Sequence, residues 1–286
     1  MTSGDGWTTC AAGHRHWGLF GAAGLLLRTP AAEPPAVALQ LRALRSHHGG
    51  TWGILGGARD QAETAVEAAL REAGEEATVV PGAVRIEADF VDDHGGWAYT
   101  TVVGSASSAM ELAPRNWESD AVRWVPLAEV DALDLHPGFA RTWPLLRAVG
   151  AAPLVVVDAA NVVGSRPDGW WRDRAGAAER LRDQLAELAA AGWVSPLGGS
   201  VAAVRRYPEL VLVVEGAARG VPSVPGVEVV AAPGSGDDAL VELVAARQAG
   251  SRPVQVVTAD RGLRDRVTPL GAEVVGPRTL LDLLAP

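Results

Sequence analysis

The feature that most constrains this chain is a set of short valine-rich runs that begins at residue 154 and continues to the end. LVVVD (154–158), LVLVVEG (210–216), VEVVAAP (227–233), VQVVTAD (254–260) and AEVVGP (272–277) are each too short for a helix and too apolar for an exposed strand. Between them lie helical stretches: RAGAAERLRDQLAELAAAG (174–192), a helix from Asp237 to about Arg247, a short helix after Asp260, and a last one in TLLDLLA. Buried strands alternating with helices predict a parallel α/β sheet.

Residues 17–148 follow a different pattern. GAAGLLLR and VALQLRAL read as strands joined by the loop TPAAEPPA. TWGILGG follows, then an Ala-rich helix within residues 56–79. A strand pair, VRIEADFV and WAYTTVVGSA, turns at DDHGG, and WESDAVRWVPLAEVDAL is a strand entering a short helix. The small, turn-rich AVGAAP (148–153) marks the boundary, so the expected domains are 1–150 and 151–286, in keeping with the size of the chain.

Composition excludes several functions. The net charge is −9, which argues against a general nucleic-acid coater. The acidity lies mainly in the first half, with 11 Arg against 18 acids, compared with 14 against 16 in the second. With no lysine, Schiff-base chemistry and a P-loop are excluded. Cys10 is the sole cysteine, so no internal disulfide and no cysteine-built zinc site is expected, which fits a reducing cytoplasm. MTSGDGWTTC has neither a basic start nor an apolar run, so no secretory leader is expected, and GLFGAAGLLL is too short to span a bilayer.

The helix near residue 70 carries the first chemical signal. Val66, Ala69, Leu70, Ala73 and Ala77 form an inward apolar stripe. Glu72, Glu75 and Glu76 occupy the neighbouring stripe, where like charges at these spacings repel. Three carboxylates converging after a Gly-Gly turn suit a hard divalent cation such as Mg²⁺. The spacing Gly57-x5-Glu63-x7-Arg71-Glu72-Ala73-x-Glu75-Glu76, with Val79 in the last apolar slot, closely resembles the Nudix box. The resemblance covers residues 17–148 and includes TWGILGG before the box and RWVPLAEV after it. It implies an α/β/α sandwich with a mixed sheet that hydrolyses a nucleoside diphosphate linked to another group, such as an oxidised or ordinary nucleoside triphosphate. In such a site Glu72, Glu75 and Glu76, helped by the Gly57 carbonyl, would hold Mg²⁺ or Mn²⁺. Arg71 would pair with a box glutamate such as Glu63, and Glu118 is the candidate general base. Two positions depart from the pattern: Thr78 stands where the box has glycine, and Leu55 where proline usually precedes Gly-Gly. Thr78 resists a left-handed helix end, which keeps open a second reading, a nucleotide-sensing domain that regulates its neighbour. Trp52, Trp97, Trp117 and Trp124 are candidates either for base stacking or for the core.

In the second half, acids gather where strands end: Asp158, Glu215, Asp237, Asp238 and Asp260. Such positions border the ligand crevice of an open parallel sheet, and several carboxylates there can hold metal for phosphodiester cleavage. Helix capping is the ordinary use of the same residues. VVDAANVVGS, GSGDDAL and VVTADRGLRDR together resemble the PIN-like nuclease fold, especially its NYN branch, over 153–284. The resemblance implies a Rossmann-like α/β domain in which Asp158, Asn161, Asp237 and Asp260 form a metal-dependent ribonuclease site. Asp237 is preferred to Asp238 because Leu240 follows at the family's spacing, and Glu215 stands where relatives often have Asp. Trp170 and Trp171, among arginines, fit either a stacking loop or an apolar lid. The partners expected are a nucleotide for the first half and RNA for the second, with no membrane. A homodimer is left open.

Overall fold

The structure, a computed structural model, describes residues 2–29, 34–107, 110–196, 203–247 and 252–285. In chain order the first 150 residues form β1 (Trp7–Thr9), β2 (Arg15–Trp17), β3 (Ala22–Arg28), β4 (Ala36–Arg42), β5 (Trp52–Gly53), β6 (Leu55–Ala58), α1 (Ala65–Glu76), β7 (Val84–Asp93), β8 (Ala98–Ala106), β9 (Ser119–Pro126) and α2 (Pro137–Leu146). Then come β10 (Leu154–Asp158), α3 (Ala159–Gly164), α4 (Arg174–Ala191), β11 (Trp193–Pro196), β12 (Ala203–Arg206), β13 (Glu209–Val214), β14 (Val227–Ala231), α5 (Gly236–Arg247), β15 (Val254–Val257), α6 (Arg261–Val267), β16 (Glu273–Val275) and α7 (Pro277–Leu284).

Two compact units result. The first comprises Met1–Gly150 and Val194–Arg205, and the second Ala151–Trp193 and Arg206–Pro286. The expected second domain, 151–286, is therefore interrupted: residues 194–205 belong to the first unit. β11 and β12 extend the mixed sheet, whose order is β11-β12-β7-β8-β3-β4-β5, with β6 on β3 and β9 on β4. Val204 is wholly buried in that unit's core. A short arginine-flanked run, AVRR, carries no sign of where its one apolar side chain will pack.

The mixed sheet has a core on each face because strand side chains alternate. Ala23, Leu25 and Leu27 of β3 pack with Ala68, Ala69 and Ala73 of α1 and with Ala77 just beyond it. Leu26 faces the other way, with Phe139, Trp143 and Leu146 of α2. Gly24 lies between them because a Cβ there would come 2.1 Å from the Tyr99 hydroxyl. The strand expected in TWGILGG is split. β5 pairs with β4 and β6 with β3, and Ile54 between them is buried. The hairpin β1–β2 and helix α2 lie outside the sequence reading.

In the second unit all five strands are parallel, in the order β14-β13-β10-β15-β16. Val155 and Val157 of β10 face one core with Leu181 and Leu185 of α4. Leu154 and Val156 face another, with Leu240 and Val244 of α5. The order reverses at β10, so the crevice expected in such sheets lies beyond the carboxyl ends of β10 and β15. No helix among the described residues is long and apolar enough to cross a membrane.

Truncating Val204 tests what β12 contributes to the first unit. Val204→Ala removes two buried carbons and should destabilise the first unit by about 1–3 kcal/mol, read as a lower melting temperature of the full chain. An unchanged melting curve would show that Val204 contributes nothing.

Candidate functional site

Helix α1 begins with a reciprocal cap. Thr64 Oγ1 accepts from Glu67 N at 3.2 Å, and Glu67 Oε2 accepts from Thr64 N at 2.8 Å. Its buried face is rotated from the one the apolar spacing indicates. Ala68, Ala69, Ala73 and Glu76 are the buried residues, whereas Val66 and Leu70 are half-exposed. Glu76 therefore falls on the packed face, with only 2% of its surface exposed. The run of alanines permits this, because small side chains bring the helix close enough to the sheet to enclose a carboxylate.

The enclosed carboxylate is held by the backbone and by one amide. Glu76 Oε2 accepts from Gly56 N at 2.8 Å and from Gln40 Nε2 at 3.1 Å. Gln40 is fully buried, donates also to Ile54 O at 3.1 Å, and its Oε1 accepts from the Ser119 hydroxyl. Gly56 is required: a Cβ there would lie 2.4 Å from Ala23 O and Gly24 Cα. Burial nevertheless dominates and pushes the Glu76 pKa up to about 8, against the Gly56 N–H that favours the charged form. Glu72 and Glu118 add like charge. Gln40 and Ser119 had no signal in the sequence; both lie on strands whose pattern reads simply as core.

Glu72 lies against Gly57, where a Cβ would come 2.6 Å from its carboxyl carbon and Oε1. Desolvation raises the Glu72 pKa, with Arg71 opposing. Glu75 projects outward, with 58% of its side chain exposed. The cation these acids demand is partly internal. Arg71 grips both oxygens of Glu63 (Nε to Oε1 at 2.8 Å, Nη2 to Oε2 at 2.9 Å) and reaches Glu72 at 2.9 Å, Glu75 at 3.2 Å and Ala58 O at 2.9 Å. The bond to Arg71 holds Glu63 below the usual carboxylate range. With Arg71 among them, the carboxylates of Glu72, Glu75 and Glu76 do not all lie within 4.8 Å of one another. Glu118 is half-buried on the loop before β9, close enough that its charge raises both Glu72 and Glu76.

Thr78 does not disturb the helix exit. Ala77 ends α1 in an extended conformation, so no left-handed residue is needed. The Thr78 hydroxyl donates to Glu111 O at 2.8 Å and accepts from Ala113 N at 2.9 Å. The tryptophans divide. Trp97 is buried and donates to Gly18 O at 2.9 Å, and Trp124 donates to Met110 O at 2.8 Å. Arg123 covers Trp52 at 4.7 Å, and of these four candidates only Trp117 is largely exposed, with Arg45 over it at 5.2 Å.

In the second unit, Asp158 caps α3 through Oδ1 (Asn161 N, 3.0 Å) and accepts the buried Thr258 hydroxyl on Oδ2 at 2.9 Å. Asn161 Oδ1 accepts from Ala259 N at 2.8 Å, so it links the ends of β10 and β15. Asp260 caps α6 at Leu263 N, 2.8 Å, and Glu215 accepts from Gly236 N, 2.7 Å, at the start of α5. Burial raises the pKa of Asp158, with Asp237 and Glu215 adding to it. Burial also raises Asp237, with Asp260 the largest neighbouring charge. Asp238 points elsewhere, to Arg266 at 2.6 Å. The structure thus gathers Asp158, Glu215, Asp237 and Asp260 at one end of the sheet. Trp170 packs on the core with Arg174 over it at 5.5 Å, and Trp171 is exposed.

A two-faced mixed sheet with an acid-rich helix on a Gly-Gly strand defines a class of enzymes that act on phosphoric anhydrides. Residues 19–148 match the NUDIX domain family, and the chain belongs to that family as a Nudix pyrophosphohydrolase. It is 47% identical over 163 residues to a putative 8-oxo-dGTP diphosphatase 3 of Mycobacterium tuberculosis, a match that covers 54% of this chain and 75% of that protein. A nucleoside triphosphate pyrophosphatase/Nudix hydrolase fusion protein of Bifidobacterium longum is 41% identical over 150 residues, 51% of this chain and 31% of its own. Among solved structures, the Nudix hydrolase RenU of M. smegmatis is 44% identical with a TM-score of 0.47, covering 50% of this chain and 93% of that one.

Glu76 gives a pH test. Its folded-state pKa, about 8, lies above its ordinary value of 4.5, so the folded protein binds the extra proton between those limits. Stability is then lost as pH rises from about 4.5 through 8. Glu76→Gln keeps an acceptor for Gly56 and removes the titration. In chelator at pH 8 it should melt a few degrees above wild type, and the two should converge near pH 5. A constant difference across that range would refute the buried-acid account.

Proposed function

We propose that the first unit is a divalent-cation-dependent hydrolase that cleaves the pyrophosphate bond of a nucleoside triphosphate derivative, oxidised or ordinary. The carrying observation is the cradle at Gly57: the missing Cβ lets the Glu72 carboxylate lie against the strand, next to the buried Glu76. That donor set, all carboxylate, fits Mg²⁺ or Mn²⁺. Glu72, Glu75 and Glu76 would hold the ion, with the Gly57 carbonyl beside them. The ion supplies charge neutralisation for the diphosphate and a more acidic bound water.

The protein's own groups do the rest. Arg71, anchored on Glu63, keeps Glu72 and Glu75 oriented and can release Glu75, its longest contact. Glu118, on the neighbouring loop, is the group suited to take the proton from water. Trp117 and Arg45 form an exposed face beside Glu118 on which a base can stack. The name of one relative, a putative 8-oxo-dGTP diphosphatase, favours nucleoside triphosphates as the substrate class. The test is phosphate or pyrophosphate release from a nucleotide panel with Mg²⁺. Glu75→Gln and Glu76→Gln should lose at least about a hundredfold in kcat, and Glu118→Gln a similar factor. Tight nucleotide binding with no turnover by wild type would replace the enzyme reading with a nucleotide sensor.

For the second unit we propose a PIN-like, NYN-type domain with a metal-dependent ribonuclease site formed by Asp158, Asn161, Asp237 and Asp260, with Glu215 alongside. The gathering of four acids at the carboxyl end of a parallel sheet supports it, as does the raised pKa shared by Asp158 and Asp237. Asp158→Asn should abolish Mn²⁺- or Mg²⁺-dependent cleavage of single-stranded RNA by the full chain, while nucleotide hydrolysis is unaffected. Equal RNA cleavage by wild type and variant would remove Asp158 from any such site.

A further inference from the structure

Away from the glutamates, the N-terminal hairpin and the β7–β8 turn bring together a second set of donors. Cys10 follows β1, His14 precedes β2, His16 lies on β2, and His94 lies in the turn DDHGG. The Cys10 sulfur and one nitrogen from each imidazole all lie within 4.8 Å of one another. The backbone builds this convergence. Cys10 N donates to His14 O at 3.0 Å and Gly13 N to Cys10 O at 2.9 Å, which folds residues 10–14 back on themselves. Ala11 N donates to Gly95 O at 2.7 Å and ties that loop to the turn. Gly95 has φ 73°, and a Cβ there would press on Ala11 at 2.9 Å.

Packing explains part of the arrangement. His16 stacks on Trp97 at 4.0 Å, and His94 meets the same ring edge-on at 5.5 Å. Cys10 is 5% exposed against Ala22 and Trp97. Stacking does not account for the rest. Nε2 of His16 is buried with no hydrogen-bond partner, which ordinarily destabilises a fold. Three imidazoles this close also repel one another whenever they are protonated.

Against the expectation that a lone cysteine builds no zinc site, we infer that Cys10, His14, His16 and His94 bind a zinc ion, because three histidines, two from the hairpin and one from the β7–β8 turn, complete the set. One thiolate and three neutral imidazoles belong to the sulfur-and-nitrogen donor class that zinc takes, and four protein ligands make a closed, structural site with no position for substrate. Tetrahedral zinc with ordinary bond lengths spaces its donors about 3.3–3.7 Å apart, so side-chain closure from within 4.8 Å suffices. Binding releases the Cys10 thiol proton. Behind His94 stands a carboxylate: Asp92 Oδ2 lies 3.3 Å from His94 Nε2, with Arg141 Nη2 3.3 Å from the same nitrogen and 2.5 Å from Asp92. With Nδ1 of His94 as the ligating atom, a carboxylate on Nε2 would orient the ring. The ion would fasten a hairpin whose two strands have three residues each to the main sheet; isolated two-stranded hairpins are marginal in water. The hard-cation glutamate site takes oxygen donors, so the two sites do not compete for the same metal.

The test uses the full chain with zinc and cobalt as probes and needs no enzymatic readout. After dialysis against Mg²⁺, wild type should retain about one zinc per chain. Its cobalt form should show thiolate-to-cobalt charge transfer and the visible bands of a tetrahedral ion. Cys10→Ser should lose the charge transfer, and His14→Ala, His16→Ala and His94→Ala should each weaken zinc binding at least tenfold. Zinc should raise the melting temperature of wild type and not of Cys10→Ser. Where Cys10→Ser does not fold, the exposed-turn variant His14→Ala carries the same comparison. Folded wild type with no cobalt–thiolate band, or histidine variants that bind zinc as wild type does, would overturn the site.

Discussion

The first unit depends on the burial of one carboxylate. Glu76 sits on the packed face of α1, and the groups that neighbour it follow from that placement. Gly56 has no side chain, so its N–H can reach Oε2 and its strand can approach β3. Gln40 occupies a strand position that faces the helix and spends its amide on Glu76 and its oxygen on Ser119. Alanines at 68, 69 and 73 keep the helix near enough for these bonds to form. A buried acid with two donors remains costly to ionise, and its pKa near 8 records that cost. Under the proposed function a divalent cation at the neighbouring carboxylates would relieve it, and the least stable feature of the helix would then be the one that gives it a use.

Arg71 controls how much of that need the chain meets by itself. Its guanidinium spans Glu63, Glu72, Glu75 and a strand carbonyl, a geometry that only the planar fork of arginine supplies. It neutralises Glu63 fully and Glu72 and Glu75 in part, but makes no contact with Glu76. The acids are thus graded from a firmly ionised Glu63 to a reluctant Glu76 within one helical turn and the loop before it. Such separation of neighbouring carboxylates by environment is the means by which one site can hold both a metal ligand and a proton acceptor.

The second unit reaches a comparable crowding by topology. Parallel strands that reverse their order at β10 direct several chain ends into one crevice. There Asp158, Asp260 and Glu215 also satisfy backbone N–H groups at helix starts. Capping and ligand binding are compatible uses of one carboxylate, because each oxygen accepts more than one bond. Asp237 has no capping role and faces Asp260, while Asp238 is neutralised by Arg266.

Much of this was legible in one dimension. The spacing from Gly57 to Glu76 identified the helix and its acids, and the family resemblance that this spacing carries implied that Arg71 pairs with a box glutamate, which in the structure is Glu63. The alternation of Val-rich runs and helices likewise announced the parallel sheet. Thr78 departed from the pattern, but the fold met the change with two hydrogen bonds from the hydroxyl instead of a left-handed turn. The sequence by itself determined the local elements and which acids share a turn, because hydrophobic period and residue spacing act over a few residues. Only the tertiary structure decided that Glu76 rather than Val66 faces the core, that Val204 packs in a sheet formed far earlier in the chain, and that a single cysteine meets three histidines. Those outcomes depend on how closely a helix can approach a sheet and on which distant loops a sheet brings to one edge, and neither quantity is written in the order of the residues.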